Sequence, residues 1–367
     1  MKPITAIALS GGVDSLTAAY LLKQQGHHVI GIHFITGFEV KAYSHHNNRL
    51  SKNSDISVCL PNQNSYSLKI SDIAGQLGIK VKIIDISADF KLKVVDYFTK
   101  TYLSGKTPNP CLVCNPTIKF GTLLTCARNL GASYLATGHY AGISIDSTGR
   151  FHLHRGIDKK KDQSYFLAFM TQKQLSHACF PLGIMTKSDV KKLAKEKGLR
   201  PAVKKESQDI CFIKDNRYGD FISQQHGFKP KSGNIVDVKG NILGRHNGLH
   251  LFTIGQRRGI NCPASEPYYV VRMDIKQNRL TVGLKKDLLS SNCRVSKINW
   301  IIEKPSSPLE VYTRVRYRHK PVRSMLIPDG DTSTIVNFNT PQSAVTPGQG
   351  AVFYKDDEVI GGGWIDA

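Results

Sequence analysis

Two cysteines three residues apart stand in Thr107-Pro108-Asn109-Pro110-Cys111-Leu112-Val113-Cys114-Asn115, and a third lies far along the chain in Ile210-Cys211-Phe212-Ile213. Thiols can pass a sulfur atom: one carries a persulfide, and a second attacks it and leaves a disulfide. The prolines hold the approach to Cys114 extended, and a helix expected to begin near Thr117 favours thiolate at a thiol just before it. A lone Cys-x-x-Cys also fits structural zinc, but no second pair at zinc-knuckle spacing follows. Cys126, Cys179, Cys262 and Cys293 sit in apolar or strand-forming surroundings that read as packing. Cys59 falls in a polar stretch and takes no assignment.

The second chemical feature is Ser10-Gly11-Gly12-Val13-Asp14-Ser15. Two glycines let backbone approach a phosphate, Ser10 and Ser15 offer hydroxyl donors, and the amides of a following helix point at an anion. Neither the G-x-x-x-x-G-K-[ST] loop nor G-x-G-x-x-G is present, which removes the main support for ordinary kinase-type or hydride-transfer chemistry. Asp14 reads as either a helix cap or a magnesium partner.

Those groups need elements to hold them. Ile4 to Leu9 is a continuous apolar run that reads as a buried strand, followed by a helix carrying Leu16, Ala19 and Leu22 and closing near Gly26. Strands at His28 to Ile35, Val81 to Ile86 and Tyr134 to Thr137 alternate with helices at Tyr66 to Leu77 and Ile118 to Leu130. Alternation of this kind with doubly buried strands predicts an α/β domain around a doubly wound, mostly parallel sheet. Phe38 to Ser67 reads as a long polar surface loop. Ser188 is expected to cap a lysine-rich helix through Lys197. Past about residue 212, Gly-punctuated short strands predict a small β-rich linker domain and then a C-terminal β-barrel with a basic strand at Arg314 to Lys320. The expected domains are 1–211, 212–287 and 288–367.

Composition bounds the partners. The 367 residues carry 50 Lys+Arg against 28 Asp+Glu, a net charge of +22 and a pI near 9.6. Such a surface attracts polyanions, with nucleic acid the leading class. Eight cysteines are too dilute for a disulfide scaffold. No run approaches a membrane span and no cleavable leader is evident, so a cytoplasmic protein without membrane contact is expected.

The loop Ser10 to Ser15 after an N-terminal strand resembles the pyrophosphate loop of the adenine-nucleotide α-hydrolase superfamily. Along nearly the whole chain the sequence resembles the bacterial-type tRNA-specific 2-thiouridylase family. The matching motifs are Asn109-Pro110 through Cys114-Asn115, Ile118-Lys119-Phe120, Ala136-Thr137-Gly138-His139-Tyr140, Lys161-Asp162-Gln163-Ser164-Tyr165-Phe166 and Ile210 to Ile213. Later come Thr253-Ile254-Gly255-Gln256-Arg257-Arg258-Gly259, Arg316-Tyr317-Arg318, Thr346-Pro347-Gly348-Gln349 and Gly361-Gly362-Gly363. The resemblance implies a tRNA sulfurtransferase. It further implies that ATP with Mg2+ adenylates the C2 oxygen of the anticodon wobble uridine and that sulfur then displaces AMP.

Carried over by motif, Cys114 is the nucleophile and Cys211 the persulfide carrier. By the same carry-over, Ala8, Leu9, Ser10, Gly11, Gly12, Val13, Asp14, Ser15, Phe34 and Gly138 would surround ATP. The resemblance likewise implies that Asn109, Pro110, Cys111, His139, Lys161, Asp162, Gln163, Arg316, Tyr317 and Gln349 would contact tRNA at its anticodon arm. The residue types agree, since Lys161 and Arg316 suit phosphates, Tyr317 can stack on an unpaired base and Gln163 can bond a base edge. The chain departs from the family in holding Cys111 where aspartate is usual, and in a loop Phe38 to Ser67 that lacks acidic character. A third thiol leaves two mechanisms open: a persulfide relay through Cys211 and Cys114, or a [4Fe–4S] cluster on Cys111, Cys114 and Cys211 whose open iron binds sulfide. The sulfur source is correspondingly a donor protein or inorganic sulfide. Two rival functions are an ATP-dependent amidoligase of the same superfamily, which would not need Cys114, and a non-catalytic RNA-binding protein, which would not turn over ATP.

Overall fold

The computed structural model describes residues 3–38, 64–203, 210–213, 217–224 and 227–366. Two compact units emerge, Met1–Lys93 with Val113–Gln208, and Val94–Leu112 with Asp209–Ala367. Cys59, most of the loop 38–67, and positions 204–209 lie outside the described residues.

The first unit is built on five parallel strands, β1 (Ile4–Ala8), β2 (His28–Ile35), β3 (Lys80–Asp85), β4 (Tyr134–Ala136) and β7 (Ala178–Cys179), in the order β3-β2-β1-β4-β7. Parallel pairing forces helical crossovers. α1 (Val13–Gln24) and α2 (Asn64–Leu77) supply the first two. α1 ends where Gly26 adopts φ +78°. Ile7 and Leu9 join one apolar cluster with Leu16 and Leu22 of α1, Ile70, Ile73 and Leu77 of α2, and Val190 and Ala194 of α8 (Lys187–Glu196). Ala6 and Ala8 of the same strand are equally buried outside that cluster. Period-two alternation therefore puts covered surface on both faces of β1, as a doubly wound sheet requires. Chain order reverses between β1 and β4, so the loop after β1 opens at a topological switch point.

α3 (Ser87–Phe90), α7 (Gln172–Leu175) and the antiparallel hairpin β5 (Ala141–Ile145) and β6 (Phe151–Arg155) complete this unit, together with a π-helix at Asn115–Leu123 that runs into α6 (Leu124–Asn129). The expected cap at Ser188 is corrected: Thr186 accepts the Asp189 amide and Asp189 reaches back to Thr186, so α8 starts at Lys187.

In the second unit, α4 (Asp96–Leu103) and α9 (Tyr218–Ser223) meet through Phe98, whose ring lies 5.9 Å from that of Phe221. A four-stranded sheet, β8 (Gly233–Val236), β9 (Ile242–His246), β10 (Tyr269–Asp274) and β11 (Arg279–Gly283), runs in the order β10-β11-β8-β9. It buries Ile235, Phe252, Val270, Leu280 and Val282.

Six antiparallel strands follow: β12 (Leu289–Trp300), β13 (Leu309–Arg314), β14 (Val322–Pro328), β15 (Thr334–Ser343), β16 (Gly350–Lys355) and β17 (Glu358–Ile365). Their order β12-β15-β14-β13-β16-β17 closes through β12–β17 pairing into a barrel. Glycine makes that closure feasible. A Cβ at Gly361 would stand 2.8 Å from the Asn299 carbonyl oxygen, and one at Gly363 2.7 Å from that of Ser296. The basic strand expected at Arg314 to Lys320 is corrected, since β13 stops at Arg314 and residues 315–320 form the turn into β14. Among the described residues no helix is long and apolar enough to cross a membrane.

Candidate functional site

The loop between β1 and α1 is held open by hydrogen bonds of its own residues. Ser15 Oγ donates to the Gly12 carbonyl at 3.0 Å and accepts the Ser10 amide at 3.3 Å, while the two serine hydroxyls stand 3.3 Å apart. Gly11 takes φ +80°, a conformation that favours glycine, and its carbonyl accepts the Val203 amide at 3.0 Å. Gly12 precedes α1 with no side-chain cap, so the first amides of the helix have no side-chain acceptor there. Such amides, with the Ser10 hydroxyl beside them, are an anion site. Phe34 lies partly buried at the end of β2, the strand that pairs with β1.

Gly138, just beyond β4, abuts this loop so closely that a Cβ would come within 2.9 Å of Asp14 C and Ser15 N. Asp14 neither caps α1 nor stands open to a metal. Lys187 Nζ contacts both its carboxylate oxygens at 2.7 Å, and the Tyr140 hydroxyl donates to Oδ1 at 2.7 Å. A magnesium ion would have to share this carboxylate with the Lys187 ammonium, so Asp14 fits poorly as a metal ligand as the loop stands.

Cys111 and Cys114 lie inside a helix, not before one. α5 (Pro110–Cys114) begins where the sequence pointed to an extended approach, because Asn109 Oδ1 accepts the Leu112 amide at 3.4 Å and Pro110 occupies the first helical position. The helix then widens into the π-helix Asn115–Leu123, a rare form often found at functional positions. Asn115, next to Cys114, is buried and donates through Nδ2 to the Phe166 carbonyl at 2.8 Å.

Gln349 secures the segment leading into α5. Its Nε2 donates to the carbonyls of Thr107 and Pro108 at 3.0 and 3.1 Å, its Oε1 meets Asn109 Nδ2 at 3.5 Å, and the Thr107 amide donates to the Pro347 carbonyl at 2.8 Å. Gly348, at φ +85°, permits this approach: a Cβ there would stand 2.9 Å from Lys106 Cβ. Cys111 and Cys114 are partly exposed and Cys211 is exposed. Burial pushes the Cys179 thiol up to about 11 and Cys293 to about 12, and raises Cys126 and Cys262, which suits four inert packing thiols. Among the described residues no three His, Cys, Asp or Glu side chains gather as a metal group.

His139 is buried between Thr137 and Lys119. Its Nδ1 is 2.6 Å from Thr137 Oγ1 and its Nε2 3.1 Å from Lys119 Nζ. Burial, seconded by the Lys119 charge, holds it well below the usual histidine range. An ammonium can only donate, so Nε2 accepts and Nδ1 carries the proton toward Thr137. Asp162 is likewise enclosed, accepting the amides of Gly156 and Ser164 at 3.2 and 3.1 Å and facing Arg155 at 3.4 Å. Gln163 exchanges two bonds with the Tyr140 backbone, and Lys161 beside it is partly exposed.

Residues 4–215 match the family model described as a tRNA methyl transferase HUP domain, 219–284 its PRC-barrel domain, and 290–365 an aminomethyltransferase beta-barrel domain. The tRNA-specific 2-thiouridylase MnmA of Desulfosudis oleivorans is 47% identical over 366 residues, covering 100% of this chain and 96% of that protein. Those of Geotalea uraniireducens and Geobacter metallireducens are each 43% identical, covering 98% of this chain and 94% and 96% of theirs. The chain belongs to the tRNA-specific 2-thiouridylase family.

The residues expected from the sequence fall in several places. Ser10, Gly11, Gly12, Asp14, Ser15 and Gly138 converge on one loop, and Asn109 and Gln349 meet across 240 residues. Arg316 bonds the Ile254 carbonyl at 3.0 Å and the Thr346 hydroxyl, while the Arg314 guanidinium stacks 5.0 Å from the ring of Tyr317. His139 and Asp162 are buried, while Lys161 and Gln163 are partly exposed. Sequence reasoning missed Lys187, Tyr140 and Lys119 as site residues. The lysine at the first position of α8 was a usable signal, because a cation there opposes the helix dipole unless a partner waits.

Proposed function

We propose that the chain is an ATP-dependent tRNA-uridine 2-sulfurtransferase acting on the anticodon wobble uridine, with catalytic, linker and barrel domains bounded at 1–211, 212–287 and 288–367. The observation that carries it is the Ser10–Ser15 anion site at the switch point of the parallel sheet, in a chain whose full-length relatives bear the thiouridylase name. The methyltransferase wording of the family descriptions fits less well, since methyl transfer has no need of a triphosphate loop.

Chemistry starts with the uridine turned out of the anticodon loop. Its C2 oxygen attacks the α-phosphorus of ATP, a C2–O–P linkage forms and pyrophosphate leaves. Uncapped amides of α1 and the serine hydroxyls stabilise charge on the phosphates. The terminal sulfur of a Cys211 persulfide then attacks C2, the C2–O bond breaks and AMP departs. Cys114 thiolate attacks Cys211 Sγ and breaks the S–S bond. The products are 2-thiouridine and a Cys114–Cys211 disulfide, which an external thiol reductant resets with two electrons. A persulfide-bearing donor protein supplies sulfur at the required oxidation level. Partners on the RNA side are Lys161, Gln163, Arg316 and Tyr317, and the +22 charge makes binding fall steeply with salt.

The test supplies reduced, air-free protein with ATP, substrate tRNA and a persulfide donor, and measures AMP, pyrophosphate and thiouridine. Equimolar AMP and thiouridine are expected. Thiouridine formed without ATP cleavage, or ATP cleavage blind to tRNA, overturns the assignment.

A further inference from the structure

Asp14 is the only acidic residue of the Ser10–Ser15 loop, and its carboxylate is already engaged. Lys187 Nζ stands 2.7 Å from both Oδ1 and Oδ2. The Tyr140 hydroxyl takes a second site on Oδ1, and the Tyr140 ring lies 5.8 Å from the same ammonium. The lysine side chain is 8% exposed and the Asp14 side chain 29%. Lys187 is anchored from behind as well, its backbone amide donating to Asp158 Oδ2 at 2.9 Å. Magnesium would need a carboxylate oxygen at about 2.0–2.1 Å in near-octahedral surroundings. Both oxygens already accept from one monovalent cation, and a dication sharing the carboxylate with that ammonium would be repelled.

We propose that Lys187 is a positioning residue of the nucleotide site that takes the place of a divalent cation at Asp14. It fixes the first turn of α1 ready for the phosphates with no metal held by the loop. Mg2+ would then arrive with the nucleotide instead of being held by the loop, and Asp14 stays on Lys187. This rests on the ATP reading above and sharpens what the loop does.

The probe is Mn2+ in place of Mg2+, followed by electron paramagnetic resonance on the full chain without nucleotide, then with ATP. Wild type should take up no Mn2+ alone and about one per chain with ATP, and Asp14→Asn should retain the ATP-dependent ion. Lys187→Met, which strips the ammonium, should take up about one Mn2+ without ATP, and the Lys187→Met/Asp14→Asn double variant should lose it. Lys187→Arg, which keeps the charge, should behave as wild type. Nucleotide-free Mn2+ uptake by wild type that Asp14→Asn abolishes overturns the proposal. So does a folded Lys187→Met that binds no extra ion. The wild-type arm stands even where Lys187→Met does not fold. Calorimetry of ATP with wild type separates the two levels: no ATP binding at all sinks the nucleotide reading, whereas ATP binding with an Asp14-dependent metal sinks only the role of Lys187.

Discussion

Gly138→Ala adds one methyl group at the tightest approach to the nucleotide loop. The new Cβ would meet Asp14 C and Ser15 N at 2.9 Å and Asp14 Cβ at 3.1 Å, none of them the end of a flexible side chain. Ordinary carbon contacts lie near 3.5–4.0 Å, so the loop or the strand end must retreat by several tenths of an ångström. Overpacking of this kind costs about 1–3 kcal/mol. If the retreat falls on α1 and its uncapped amides, that cost appears as ATP binding weakened about 5- to 150-fold. If it falls on β4, it appears as a lower unfolding midpoint. Calorimetry with a non-hydrolysable ATP analogue and thermal unfolding of the same sample measure both. A variant that binds within two-fold of wild type and melts at the same temperature would show that Gly138 does not set the loop.

Three further outcomes are expected. Gln349→Ala removes the two bonds to the Thr107 and Pro108 carbonyls, costing about 1–3 kcal/mol, and should lower sulfur insertion and the unfolding midpoint with ATP affinity unchanged; an unaltered thiolation rate refutes its part in placing α5. Cys114→Ser and Cys211→Ser should each abolish thiouridine formation while ATP and tRNA still bind, and Cys111→Asp should stay active; loss in Cys111→Asp, with iron and sulfide in anaerobic protein, would displace the relay.

The third concerns acid. Burial holds His139 below its unfolded value of about 6.5, so stability is fully present above that pH. As pH falls below it the unfolded chain takes up a proton the folded one refuses, and stability drops by up to about 1.4 kcal/mol per pH unit. His246, His250 and His319 shift the same way. Urea midpoints at pH 7.5 and 5.5 should differ, and less so in His139→Gln; equal slopes in the two proteins remove His139 from the account.

The sheet was legible because apolar runs such as Ile4–Ala8 and His28–Ile35 are strands in any context that buries both faces. The phosphate loop was legible because a turn with φ +80° at Gly11 favours glycine. What escaped depends on partners distant in sequence. The cysteine helix starts seven residues earlier than expected because Asn109 caps it, and Asn109 is itself steadied by Gln349. Arg314 to Arg318 alternates like a strand, yet Arg314 turns back to Tyr317 and Arg316 to Thr346 and Ile254, which ends β13. Lys187 becomes a site residue only because folding sets it against Asp14, 173 residues away.

The grip of residues 347–349 on residues 106–109 has a consequence for how the protein is made. The gripping loop is itself pinned by Ile365, whose amide donates to the Gln349 carbonyl and whose carbonyl accepts from Gly348. During synthesis the phosphate loop and Cys111 leave the ribosome long before the strand that steadies the latter. A ribosome stalled short of β17 thus leaves a chain in which residues 347–349 have lost their own anchor and the cysteine helix its brace.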